Sequence, residues 1–124
     1  INLRRLKGEK DVFRKYHYKN FLKSGVKAAI WVIWTDPEHL NDPKERTEQI
    51  IKSMSEEFAE ASDILNIVKE YSDFDRGLKE NKINILIGME GLSHIENNID
   101  LLKSYYTTCF FNLEREEYFS FRSG

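Results

Sequence analysis

Cysteine is almost absent from this sequence. Cys109 stands alone, which excludes an internal disulfide and a cysteine zinc site. Its neighbours Phe110 and Phe111 are apolar, so it reads as a buried thiol rather than a nucleophile. No apolar run approaches the roughly 18 residues of a membrane span, and the longest, Ala28 to Trp34, is the length of a strand. A secretory leader is missing, and a cytoplasmic location is the matching expectation. A starting methionine is missing too, and a chain that opens at Ile1 reads as processed, trimmed or partial. Nothing resembles a phosphate loop, a glycine-rich dinucleotide turn or a serine nucleophile elbow.

What remains is an ordinary globular composition, with 40% hydrophobic and 32% charged residues over 124 positions. That is enough for one domain with a modest core. The net charge is only −2, but it is unevenly spread. Nine Lys or Arg against Glu9 and Asp11 give the first 27 residues +7, so the remainder carries −9. A basic segment interleaved with Phe13, Tyr16, Tyr18 and Phe21 has the composition of a nucleic-acid surface. No binding motif accompanies it, so the reading adopted is a solvated amphipathic segment whose acidic partners lie elsewhere, with no nucleic-acid partner.

Asp11 is placed to cap a short helix that reaches Lys23 and stops at Gly25. Ala28 to Trp34 then reads as a strand apolar on both faces, as central parallel strands are. Asp42, Pro43 and Glu45 together signal a helix start. Ile50, Met54, Phe58, Ala61, Leu65 and Val68 continue it as one stripe to about Tyr71, with a break near Ser62-Asp63. Ile83 to Met89 is the second strong strand. Its alternation sends Ile83, Ile85, Ile87 and Met89 to a face suited to packing under helices, and Asn84, Leu86, Gly88 and Glu90 to the other. Asn97 or Asn98 caps a further helix carrying Ile99, Leu102 and Tyr106, and Thr107 to Phe111 reads as a third, shorter strand. Strand and helix alternate, so parallel pairing is expected.

In parallel α/β folds the chemistry sits at the C-terminal strand ends. That rule nominates Asp36, Glu90 with Gly91, and Phe111 with Asn112. Glu90 is the leading candidate, because a carboxylate on the interior side of such a strand is costly unless a metal or cation compensates it. Position alone leaves open a strand-end Glu that caps a helix or turns to solvent. His94 lies four residues on, but Gly91 and the strand-to-loop geometry make that spacing unreliable for a shared metal. Asp36 precedes Pro37, which more often marks a turn than a ligand.

Three stretches resemble the membrane (renal-type) dipeptidase family of metallopeptidases. Gly25 to Trp34 is similar to that family's second strand. Ile87-Gly88-Met89-Glu90-Gly91, followed by Leu101, Leu102 and Tyr105, resembles its "IGxEG" strand end and the leucine-paired helix behind it. Thr108 to Asn112 is similar to its fourth strand. The resemblance implies a (β/α)8 TIM-type barrel, of which this chain would supply two to three parallel βα units. It also implies a two-zinc centre that hydrolyses dipeptides. In this sequence it carries over Glu90 as the metal ligand and Phe111 and Asn112 as substrate-facing residues. The family's His-x-Asp pair is not present, and its later histidine ligands would fall beyond Gly124. The chain alone is therefore expected to be inactive, and its strand edges are expected to pair with another copy or with further segments. The alternatives are a non-catalytic remnant and a small α/β binding domain that uses the basic N-terminal segment.

Overall fold

The computed structural model describes residues 1–91, Ile95 and 98–109, with side chains through Tyr105. Helix α1 spans Asn2–Leu6. A π-helical turn at Arg14–Tyr18 runs into α2, Lys19–Ser24. Strand β1 is Ala28–Trp34, helix α3 is Pro43–Glu60 and strand β2 is Leu65–Ile67. Helix α4 is Tyr71–Lys79, strand β3 is Ile83–Glu90 and helix α5 is Ile99–Cys109. The three strands form one parallel sheet in the order β1-β3-β2.

The long apolar run and the isoleucine run are direct neighbours, paired from Ala28 opposite Asn84 to Trp34 opposite Glu90. Ile33, Ile83, Ile85 and Ile87 point into the core with Phe13, Ile50, Met54 and Phe58. The predicted isoleucine face is therefore the one that α3 covers. α3 and the residues around Phe13 lie over it. Phe13 and Phe21 stack edge-on with ring centres 5.2 Å apart, and Phe13 also meets Trp31 at 6.2 Å.

Two expectations fail here. The stripe through Leu65 and Val68 does not continue α3. That helix ends at Glu60, and Leu65–Ile67 is a strand on the far side of β3. Ile64, Leu65 and Asn66 are buried in succession, which suits a strand covered on both faces and not an amphipathic helix. A short helix, α4, then occupies a stretch with no earlier assignment. Thr107 to Cys109 form the last turn of α5 rather than the start of a third strand, while Phe110 and Phe111 lie outside the described residues. Smaller departures follow the same logic. Asp42 precedes α3 with Pro43 at the first helical position, but makes no side-chain cap. Asp11, at φ 52°, gives its carboxylate to Arg14 Nε at 2.8 Å rather than to a helix N–H. Gly25 ends α2 in the left-handed conformation, φ 70°, as expected.

The strand order explains where the helices lie. β1 to β2 steps over β3, and β2 to β3 steps back. Right-handed crossovers in opposite directions put α3 and α4 on opposite faces. α4 closes the N-terminal end of the second face through an amide ladder. Asn66 Nδ2 donates to Asn84 Oδ1 at 2.7 Å and to the Asp73 carbonyl at 2.8 Å, and Asn84 Nδ2 donates to the Phe74 carbonyl at 3.3 Å. Gly77 lies flat on this ladder. A Cβ there would stand 1.9 Å from Asn84 Oδ1 and 2.6 Å from Asn66 Nδ2.

The basic N-terminal segment finds its acidic partners on and after α3. Arg5 bonds Glu57 and Glu60 at 2.7 Å and Glu56 at 3.0 Å. Arg14 bonds Asp63, and Lys27 donates to Asn81 Oδ1 at 3.0 Å. Glu57 is fully buried and also accepts the Phe13 N–H at 2.5 Å. This buried carboxylate is tolerable because two donors face it.

Gly77→Ala is expected to lower stability by about 1–3 kcal/mol, the range for forced overpacking, read as a shift in the urea midpoint at unchanged slope. Arg5 and the Asp11 N–H hold the Glu60 carboxyl down, from its ordinary 4.5 to about 2. A carboxyl lowered by folding contributes stability that is complete above pH 4.5 and lost as the pH falls towards 2. Acid titration of the fold is therefore expected to show a loss in that window, and Glu60→Gln is expected to flatten it.

Candidate functional site at the strand ends

β1 and β3 end side by side, Trp34 opposite Glu90, so the two rim segments named by the sequence meet at one end of the sheet. The alternation of β3 places Glu90 with Leu86 and Gly88, on the face away from α3. Its side chain is exposed at the strand end, not buried. Gly88 belongs to the same surface. A Cβ there would approach Ile30 Cγ2 to 3.2 Å, so glycine lets β1 keep a large side chain beside the approach to Glu90. Gly91 follows with φ 78°, a left-handed turn that takes the chain off the rim directly after the carboxylate.

Asp36 has a structural role at the end of β1. Arg46, on α3 and only 5% exposed, donates to Asp36 Oδ2 at 2.9 Å. The Arg46 guanidinium holds the Asp36 carboxyl below the usual carboxylate range. His39 stands between two carboxylates, 3.8 Å from Asp36 Oδ1 and 3.2 Å from Asp42 Oδ1. Beneath them Thr35 and Thr47 share a buried hydroxyl hydrogen bond of 3.1 Å. Together these contacts pin the loop after β1 to the start of α3. Arg46 and Thr47 are the residues of this rim that sequence reasoning missed. A cationic residue in the first turn of a helix carries no pattern signal until its carboxylate partner is known.

Among the described residues, no three His, Cys, Asp or Glu side chains are grouped closely enough to hold a metal ion. Glu90 stands without a second ligand there, and Asp36 is already engaged by Arg46. The described residues therefore do not fit a complete zinc centre. His94, Phe111 and Asn112 lie outside the described residues. His17, the remaining histidine, lies against Phe13 at 6.1 Å between ring centres, and burial pushes its pKa down. Among the described residues, no helix is long and apolar enough to cross a membrane.

Because Glu90 is exposed, Glu90→Gln is expected to change stability by no more than about 0.5 kcal/mol. Gly91→Ala is expected to cost about 1–2 kcal/mol through its left-handed backbone. Paired denaturation curves check both, and a large loss in Glu90→Gln would make this carboxylate structural.

No curated protein matches the chain. The model of one family, described as membrane dipeptidase (Peptidase family M19), matches residues 2–110, which takes in both main strands, the rim between them and all of α5. With the match running over most of its length, the chain belongs to the membrane dipeptidase family of peptidases.

Proposed function

We propose that these residues are the part of a zinc-dependent dipeptidase that contributes one metal-ligating carboxylate, Glu90, to a centre completed by residues outside the described ones. The observation that carries this reading is the position of Glu90. It stands at the C-terminal end of a parallel strand, on the face opposite α3 and at the other end of that face from α4, where a barrel of this class would have its interior. Direct pairing of β1 with β3 supports it, since consecutive strands of a (β/α)8 barrel are neighbours. On this reading β2, only three residues long and bonded to the first residues of β3, is an accessory strand at the opposite end from the site. A zinc centre would supply Lewis-acid polarisation of the peptide carbonyl. The contribution of this chain is a carboxylate on a rigid strand end, presented by Gly88 and Gly91. The substrate class is a dipeptide or similar small amide.

One observation favours a second reading, a non-catalytic remnant of the family fold. Among the described residues Glu90 has no companion ligand, and a catalytic zinc takes about three. The alternative of a binding domain working through its basic N-terminus is weakened, because Arg5 and Arg14 are held in ion pairs with Glu56, Glu57, Glu60 and Asp63.

The test is dipeptide hydrolysis by the purified 124-residue chain and by the polypeptide extended with its flanking coding sequence. The chain alone is expected to turn over nothing, with or without added zinc. The extended protein is expected to hydrolyse dipeptides with zinc. Glu90→Gln in that protein should reduce activity by more than the roughly 10–100-fold that loss of an outer-shell partner costs. Inactivity of every extended form would leave the remnant reading standing. Zinc-dependent turnover by the 124-residue chain would overturn the single-ligand assignment.

A further inference from the structure

The ion pairs of the N-terminal segment engage its arginines and leave its lysines. Arg4 bonds Glu9, Arg5 bonds Glu56, Glu57 and Glu60, and Arg14 bonds Asp11 and Asp63. Lys10, Lys15, Lys19 and Lys23 are exposed, and none of them forms an ion pair among the described residues. Lys15, Lys19 and Lys23 recur every four residues along the π-helical turn and α2, which keeps them on one side. Phe13, His17 and Phe21, offset by two, take the opposite side, where Phe13 meets Trp31 of the sheet. Lys15 Nζ donates to the Lys10 carbonyl at 2.6 Å, so Lys10 stands at the head of the same row. Leu22, 51% exposed, lies three residues beyond Lys19, and Tyr16, 45% exposed, three before it. The carboxylates within electrostatic reach of the row, Glu9 and Glu60, are already bonded by Arg4 and Arg5. This side turns away from the sheet, so closing the sheet into a barrel leaves it on the outside.

We infer that this row is a docking surface for an anionic phospholipid bilayer, with the lysines at the headgroups and Leu22 and Tyr16 entering the interface between them. Lysine ammonium groups are compact point charges, suited to a diffuse negative surface. The planar arginine forks that read phosphates and bases in pairs of hydrogen bonds are engaged in the fold at Arg4, Arg5 and Arg14. An exposed leucine among the cations matches a surface with an apolar layer directly beneath its charged one. Net charge does not create this attraction, because the whole chain carries −2. The excess of +7 lies within the first 27 residues and the remainder carries −9, so an anionic surface draws in this side and repels the rest. The chain would therefore lie on the bilayer in one orientation, outer helical side down, without inserting a segment across it. The inference rests on the outer side of the helical layer and is independent of the zinc reading.

Co-sedimentation of the 124-residue chain with lipid vesicles tests it. Vesicles of phosphatidylserine and phosphatidylcholine in equal parts are expected to carry the chain down at low ionic strength and to release it as salt is raised. Vesicles of phosphatidylcholine alone are expected to leave it in solution. Lys19→Gln combined with Lys23→Gln should weaken binding by about fivefold per lysine, with an unchanged circular dichroism spectrum. Lys52→Gln combined with Lys79→Gln removes the same charge from exposed positions on α3 and α4 and should leave binding intact. A wild-type chain that ignores the anionic vesicles, binds both lipids equally or stays bound in high salt overturns the inference. So does an equal loss in the two double variants, which would make the effect one of net charge. Binding to a single-stranded oligonucleotide without binding to vesicles overturns it too, and makes the row a nucleic-acid surface. The wild-type comparison of the two lipids decides the question even if a variant fails to fold.

Discussion

The parallel ladder between β1 and β3 is the constraint on which the other features depend. It joins segments more than fifty positions apart in sequence, Ala28 with Asn84 and Trp34 with Glu90, and everything between them must return the chain to that register. Because side chains alternate, the register also sorts each strand. Ile33, Ile85 and Ile87 are delivered to the helices, and Ile30, Val32, Gly88 and Glu90 to the far side. A slip of one position would bury Glu90 among the isoleucines and expose the core. The strong hydrophobic penalty for that slip fixes the carboxylate at the rim.

Electrostatics then fastens the helical layer to the sheet. α3 carries acidic residues along the side that meets the N-terminal segment, and Arg5 reaches Glu56, Glu57 and Glu60 together. The uneven charge of the sequence is thus a folding device within one layer. At the opposite end of α3, Arg46 performs the reverse pairing with Asp36 and ties the rim loop down. The same helix therefore anchors both the N-terminus and the edge of the candidate site.

How far this was legible in the sequence depended on how many burial patterns a stretch could satisfy. Ala28 to Trp34 and Ile83 to Met89 admitted one interpretation, because unbroken β-branched and aromatic runs bounded by turns have no helical equivalent of that length. Their ends and facing followed, and with them the placement of Glu90. Leu65 to Ile67 was ambiguous. Its apolar positions extended the period of α3, and only the succession of buried residues identifies it as a strand. Asn66 and Asn84 look like surface or turn residues in sequence, yet they form a buried ladder whose partners are α4 backbone carbonyls. Arg46 and Thr47 escaped for a related reason, since a residue that acts through a distant partner has no local pattern. Thr107 to Cys109 carries strand-forming residues, but the helix started at Ile99 continues through them, as tertiary context often decides.

The π-helical turn at Arg14–Tyr18 has a consequence for how this segment can vary in length. In a plain α-helix, residues eight positions apart point about 80° away from each other. Phe13 and Phe21 are eight apart, yet they stack and share the core with Trp31. The wider turn absorbs the mismatch by accommodating an additional residue per turn. Deleting one residue between them would restore ordinary helical winding and leave the two rings seven positions apart, within about 20° of alignment, so Phe21 would stay over β1. A relative one residue shorter here would therefore keep the same aromatic seal over this strand with a plain α-helix, and the π turn is the form the segment takes when it carries the additional residue.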